Sequence, residues 1–393
     1  MTRRLQRRAV IGGLAAAVAV GVLDGCTDAR VRPDLAADRG RLSLPRLRAT
    51  PDRIIAITVC TRPFRANGPR LDVERIGATT VVHNYGHGGS GWSLSWGSSS
   101  LAVENVRATG ERDVAVIGCG ALGLTSALLL QRAGLRVTIY AKELPPNVRS
   151  SLATGVWTPD SRICFEEQAT PEFRQCWELM ARRSFQTYQT LLGLPGEPVE
   201  YIDHLSVRDN DAPTPHPERA DDPRPKFADL QRALLPDLLP VADGFAPGSH
   251  PFGSRYVRRT PQLMFNLGAY QRMLMTDFLI NGGHVQIREF HSPVELSGLP
   301  QRALVNATGY GARALFGDES VTPVRGQLAR VVPEPDIHYG IVYGGVAFVP
   351  RRDGLVFQVL GDDYFGFGDE TTTPDRAEAE HAVSAIAGLF AGG

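Results

Sequence analysis

Gly118, Gly120 and Gly123 stand in G-x-G-x-x-G spacing directly behind the apolar run Val114 to Ile117. In such a run the first glycine makes a tight turn and the second lets the backbone approach a pyrophosphate. The third lets a helix pack closely on a strand. Leu122 to Leu130 then repeats apolar residues at helical spacing, Gly134 ends that stretch, and Leu135 to Tyr140 reads as a second strand. A helix that opens on such a loop offers phosphate its free N–H groups and the positive end of its dipole. The chemistry implied is dinucleotide binding, with Gly118, Gly120, Ala121, Leu122 and Gly123 on the pyrophosphate. Glu143, at the end of the second strand with Lys142 beside it, is placed for the adenosine ribose.

A second glycine-dense stretch, Asn84-Tyr85-Gly86-His87-Gly88-Gly89-Ser90-Gly91, precedes a helix expected over Ser98 to Arg107. Glycines ahead of a helix form a cradle of backbone donors for a ligand carrying negative charge. His83 and His87 are four apart, the spacing of a metal pair on a helix. Gly88, Gly89 and Gly91 follow His87 closely and no helix would hold the two imidazoles on one face, so no metal site is expected.

These stretches sit in a chain of 393 residues whose 42 Lys and Arg balance 42 Asp and Glu. That balance leaves no basic footprint for nucleic acid. None of Cys26, Cys60, Cys119, Cys164 and Cys176 form a C-x-x-C pair, so a zinc site is not expected. Arg3, Arg4, Arg7 and Arg8 precede the apolar run Ala9 to Leu23. Residues 1–26 therefore read as an export signal of twin-arginine type, and Leu23 to Cys26 resembles a lipoprotein cleavage box with Cys26 as lipid acceptor. The expected location is outside the cytoplasm, with membrane attachment through the N-terminus. Residues 27–50, rich in Arg, Asp, Ala and Pro, read as a disordered tether.

Folded sequence is expected from Asp52, with strands at Ile54 to Val59 and Val81 to His83. Phe173, Trp177, Met180, Phe185 and Tyr188 recur at helical intervals over Pro171 to Leu192 and read as core. Asp209 to Lys226 reads as a surface loop, and Phe227 to Leu239 and Gly268 to Ile280 as helices. Tyr339 to Gln358 alternates as antiparallel strands do, and Asp375 to Phe390 reads as a last helix.

Longer motifs carry a family resemblance. Arg62-Pro63-Phe64-Arg65 followed by Val81-Val82-His83-Asn84-Tyr85-Gly86-His87-Gly88-Gly89 resembles the closing signature of the D-amino-acid oxidase family of flavoproteins. Tyr140 to Pro145, Ser150-Ser151 and Ala153 to Pro159 resemble its flavin-binding run. Val305 to Gly309 resembles its V-N-x-T-G motif, and Pro323 to Gln327 its P-x-R-G-Q. The order differs, because in that family the dinucleotide fingerprint opens the chain and HNYGHGG closes it. Here residues 51–112 come first, the pattern of a circular permutation.

The resemblance implies an α/β fold in which a Rossmann-like FAD-binding domain with a parallel sheet joins an antiparallel-sheet substrate domain. On that reading the FAD domain is 51–165 with 284–330, the substrate domain 166–283 with 331–374, and 375–393 a C-terminal helix. The cofactor implied is FAD, held by Gly88 to Ser93 (Gly88, Gly89, Ser90, Gly91, Trp92, Ser93) at the flavin's pyrimidine edge. Ser150, Ser151, Thr154, Gly155, Val156, Thr308 and Gly309 complete that set, with the backbone of Val285 against adenine. Arg62 matches the arginine that forks onto the substrate carboxylate; Arg62, Tyr343 and Gly89 are the catalytic candidates. Ala347 stands where the family's second substrate tyrosine would be. The reaction implied is oxidative deamination of a D-amino acid by dioxygen to a 2-oxo acid, ammonia and hydrogen peroxide. Rival readings are a glycine or other amine oxidase, a quinone-linked dehydrogenase, and a flavin-containing D-amino-acid binder without turnover.

Overall fold

The structure, a computed structural model, describes residues 40–210 and 223–390. The leader expected over 1–26, the first part of the tether and much of the loop Asp209 to Lys226 lie outside these residues. Two sheets make up the described chain. The smaller has six strands in the order Val73–Ile76, Thr79–His83, Ala303–Asn306, Asp113–Ile117, Arg136–Ala141 and His284–Ile287. All its pairs are parallel except the first, a hairpin. The fingerprint strand Asp113–Ile117 lies inside this sheet, and Val114, Ala115 and Val116 are fully buried, as a strand covered on both faces requires.

The fingerprint helix runs from Ala121 to Arg132. Gly134, at φ +81°, closes it: the N–H of Leu135 donates back to the Leu130 carbonyl and that of Gly134 to Gln131. The helix before it begins at Gly91, earlier than the expected Ser98, and ends at Arg107. It is rich in serine because its buried face carries a polar network. Asn84 Nδ2 donates to Ser99 and Ser126, and the Ser98 hydroxyl donates to Asn84 Oδ1 at 2.6 Å and contacts His87 Nε2 at 2.8 Å. His83 is engaged separately, by Glu74 and Asn306. Much of HNYGHGG is therefore a structural clasp between two helices and the sheet.

Gly97 lets that helix cross Pro171–Gln189 closely; an added Cβ would overlap the main chain of Met180. Main chain cannot rotate aside, so Gly97→Ala is expected to cost about 1–3 kcal/mol of stability. The check is the denaturation midpoint of the purified holoprotein; an unchanged midpoint would contradict this crossing. Trp177, Met180 and Tyr188 of the second helix are fully buried, and Phe173 and Phe185 are partly so.

The larger sheet has eight strands, in the order Ile54–Arg65, Val321–Val331, Gly354–Val359, Val346–Arg351, Tyr339–Tyr343, Val199–Arg208, Tyr256–Phe265 and Asp243–Phe245. Its pairs are antiparallel except Tyr339–Tyr343 with Val199–Arg208. The helix Arg376–Ala387 covers one face, burying Ala379, Ala382, Val383 and Ile386 among the sheet's aliphatic and aromatic residues.

Three expectations need correcting. The first strand is twelve residues long and pairs with Val321–Val331 throughout, so residues 54–65 belong to the large sheet and not to the cofactor domain drawn from 51. Residues 42–49 are not a loose tether. Leu42, Leu47 and Ala49 are buried, the Tyr339 hydroxyl donates to the Pro45 carbonyl, and buried Glu334 accepts from the Arg48 N–H and from Arg53. The helix expected over Phe227 to Leu239 is reduced to Gln231–Leu234 and a turn at Pro236–Leu238, because Pro236 has no N–H to continue it. The alternation over Tyr339 to Gln358 appears as three antiparallel strands, Tyr339–Tyr343, Val346–Arg351 and Gly354–Val359.

Candidate active site

A cavity of about 1100 Å³ lies between the sheets, and both glycine runs line it. That volume exceeds the usual range for small-molecule sites, about 300–1,000 Å³, and suits a dinucleotide together with a substrate. Two helix N-termini open on it. Gly118 (φ +108°), Gly120, Ala121 and Leu122 form one rim. Ala121 N–H donates to Ser150 Oγ at 3.1 Å, while the N–H groups of Leu122 and Gly123 have no partner among the described residues. Gly91, Trp92 and Ser93 form the other, and their N–H groups are likewise unpartnered among the described residues. Ser150 ties the two rims together, since its carbonyl accepts from Trp92 Nε1 at 2.8 Å.

Lys142, Glu143, Thr154, Gly155, Val156, Thr308 and Gly309 also line the cavity. Thr154 donates its hydroxyl to Gln358, and Ser93 Oγ accepts from the Thr158 N–H. Gly88 and Gly89 line it as well, but their N–H groups are already spent on the carbonyls of Pro63 and Ser161. Donor capacity toward a ligand therefore falls to Gly91–Ser93, not to the preceding glycines.

Five expected site residues lie off the cavity wall. Ser90 donates to the Ser161 carbonyl, and Ser151 donates to Gln271. Gly123 is packed against the Gly118 carbonyl, the close approach of helix to strand that a third glycine permits. Val285 packs into the core from its strand beside Arg136–Ala141. Tyr343 is the fifth. Alternate residues of a strand face opposite sides, and Val342 takes the cavity side, directly across from Ala347. Tyr343 faces away; its hydroxyl accepts from Arg255 and bonds Asp209, with the Arg255 guanidinium over its ring at 5.1 Å. Tyr343→Phe is accordingly expected to shift stability or turnover by no more than about 0.5 kcal/mol, as at ordinary surface sites. Steady-state kinetics check this, and a tenfold loss would return Tyr343 to the site.

Arg62 reaches the cavity from the first strand. Its Nη1 donates to the Arg325 carbonyl at 3.1 Å, its one hydrogen bond among the described residues. The guanidinium packs against Gly326, where an added Cβ would come within 2.6 Å of its carbon. The P-x-R-G-Q glycine is thus the floor on which Arg62 rests. Sequence reasoning missed Arg162, His204, Gln262 and Gln358, which also line the wall. His204, Gln262 and Gln358 stand on the same sheet face as Val342 and Ala347, and only the strand pairing shows it. Burial pushes the His204 pKa down to about 4, so the ring is neutral at physiological pH.

Over residues 113–392 the sequence matches the family DAO, FAD dependent oxidoreductase. The chain belongs to this family. It is 28% identical over 276 residues to the D-amino-acid oxidase of Rubrobacter xylanophilus, across 67% of this chain and 73% of that one. It is 32% identical over 244 residues to the D-amino-acid oxidase of Streptomyces coelicolor, across 59% and 63%. Among solved structures, glycine oxidase from Geobacillus kaustophilus aligns with 67% of this chain and 71% of that one, at 16% identity and a TM-score of 0.44.

The cofactor of this DAO-family oxidoreductase is FAD. The residues present fit it. Two helix termini offer unpaired N–H groups to anionic groups of the ligand, and the glycine cradle has no room for side chains on its protein side. Gly118 to Leu122 would hold the pyrophosphate and Glu143 the ribose.

Proposed function

We propose that this enzyme oxidises a D-amino acid to the 2-imino acid, which water hydrolyses to a 2-oxo acid and ammonia. FAD, when bound, would supply the acceptor for the hydride from the α-carbon, two electrons in all, while the amino group gives up a proton and dioxygen serves as the final oxidant, leaving as hydrogen peroxide. The observation that carries this reading is Arg62: a guanidinium in the wall shared by both glycine runs, packed against Gly326 and bonded to the Arg325 carbonyl. A planar fork matches a carboxylate with two parallel charge-assisted bonds and fixes orientation as well as energy. The relatives named above as D-amino-acid oxidases support the same reading. Mixing the holoenzyme with D-amino acids in air and measuring peroxide and 2-oxo acid tests it. Absence of both, with FAD present, would count against it.

We also infer that the chain order is permuted. The family match begins with the fingerprint strand at residue 113 and leaves HNYGHGG outside it, yet His87 to Gly89 line the same cavity. The last helix begins beside residue 51, where Arg376 reaches the Pro51 carbonyl at 3.4 Å. For residues 1–26 we propose twin-arginine export of the folded, FAD-loaded protein. Arg3→Lys/Arg4→Lys or Arg7→Lys/Arg8→Lys should retain it in the cytoplasm, as cell fractionation would show. Export undiminished in both variants would exclude that route. Cys26→Ala should release it from membranes if Cys26 carries lipid.

A further inference from the structure

Arg162 is a second cation in the wall of the cavity that holds Arg62. Its backbone sits at φ +47°, a left-handed conformation that residues with side chains seldom adopt. Such a conformation is strained and persists where surrounding structure fixes it. Here the fixing is visible. The Ser161 carbonyl accepts from the Gly89 N–H at 2.9 Å and from Ser90 Oγ, so this turn is locked to the glycine run. An added Cβ at Gly88 would strike the Arg162 carbonyl.

The side chain is held just as firmly. Nε donates to the Asp363 carbonyl at 2.8 Å, Nη2 reaches the Asp362 carbonyl at 3.4 Å, and the guanidinium lies 6.0 Å from the Phe227 ring centre. All these partners are neutral. The Asp362 carboxylate itself is paired with Arg224 at 3.1 Å. Nη1 of Arg162 has no partner among the described residues, and neither Arg62 nor Arg162 has a carboxylate within ion-pair distance among them. Burial, and then the charge of Arg62, lower the Arg162 pKa to about 10 against the more distant carboxylates of Asp363 and Asp362, which leaves it protonated at neutral pH. A partly buried cation with no carboxylate at ion-pair distance is costly, and two in one cavity repel each other.

The rest of the substrate wall agrees. An enzyme for aliphatic side chains would offer an apolar sheet face, yet His204, Gln262 and Gln358 interrupt this one. We propose, on the reading given above, that the preferred substrate is an acidic D-amino acid, with Arg62 on its α-carboxylate and Arg162 on its side-chain carboxylate. The substrate's two carboxylates then pair one with each guanidinium, and Arg162 is the residue that selects for the second of them.

The test compares anaerobic flavin reduction by the wild-type holoenzyme with D-aspartate against D-asparagine and with D-glutamate against D-glutamine. The acid of at least one pair should exceed its amide at least tenfold in kcat/KM, and Arg162→Leu should lower that ratio at least tenfold with FAD retained. Arg162→Lys should restore part of it, because a point charge cannot fork. Equal wild-type rates for acid and amide in both pairs would overturn the proposal, as would a ratio untouched by Arg162→Leu. Should that variant fail to fold, inhibition of the wild type decides: succinate or malonate should compete at least tenfold more tightly than propionate, and equality would overturn the proposal. Bleaching by neutral D-amino acids alone sinks only this inference. No bleaching by any D-amino acid, while dicarboxylates still perturb the flavin spectrum, sinks the parent reading and leaves the two-cation site standing.

Discussion

Arg62→Leu is expected to lower kcat/KM for D-amino acids by roughly 30-fold to several thousand-fold while leaving FAD bound. The range follows from about 2–5 kcal/mol for truncating one partner of a buried charge pair, at about 1.36 kcal/mol per decade. The loss should appear mainly in kcat/KM because the contact that binds the carboxylate also aims the α-hydrogen. FAD should stay, since the one bond Arg62 makes among the described residues is to the Arg325 carbonyl, far in sequence from the fingerprint. Arg62→Lys should recover part of the loss. An amine without a carboxylate should be nearly indifferent to the change. Parent-like turnover of D-amino acids by Arg62→Leu, or loss of its flavin, would show that the carboxylate is held elsewhere.

The second large effect is expected at the fingerprint turn. Gly118 has φ +108°, well beyond the left-handed region that other residues occasionally enter, and an added Cβ would lie 2.5 Å from the Ala307 carbonyl. That carbonyl, and the Thr308 Cα behind it, are main chain and cannot swing away. Gly118→Ala must therefore move the strand-to-helix turn, at a strain of about 1–3 kcal/mol. The displaced element is the one that aims the unpaired Leu122 and Gly123 N–H groups. Charged to cofactor binding, that strain corresponds to about 5-fold to 150-fold weaker FAD. Titration of apoprotein with FAD, followed by flavin fluorescence, measures it. Parent-like affinity would mean that this turn does not carry the pyrophosphate.

The parts legible in the sequence are those governed by local rules. Gly118, Gly120 and Gly123 marked the strand–turn–helix because glycine spacing and apolar period both act within a few residues, and the strand, helix and second strand appear where that pattern places them. The Phe173 to Tyr188 stripe was readable as core for the same reason. What escaped depends on pairing between distant segments. That Ile54–Arg65 joins the large sheet is fixed by its register with Val321–Val331, some 260 residues away. Tyr343 was taken for a site residue by position in a motif, but strand alternation turns it toward Arg255 and gives the cavity to Val342. Arg162 carries no motif; it matters because its turn is bound to Ser90 and Gly89 and its side chain to the loop at Asp362. Gly88 and Gly89 look like donors in sequence, and only the fold shows their N–H groups already engaged.

The most direct test of the account is anaerobic titration of the purified holoenzyme with D- and L-amino acids, followed by the visible absorption of the flavin. The account predicts a yellow protein whose flavin is bleached by a D-amino acid and recovers its colour when air is admitted, with one equivalent of peroxide per flavin. Bleaching by L-amino acids only, or a flavin that no amino acid of either hand reduces, would contradict it.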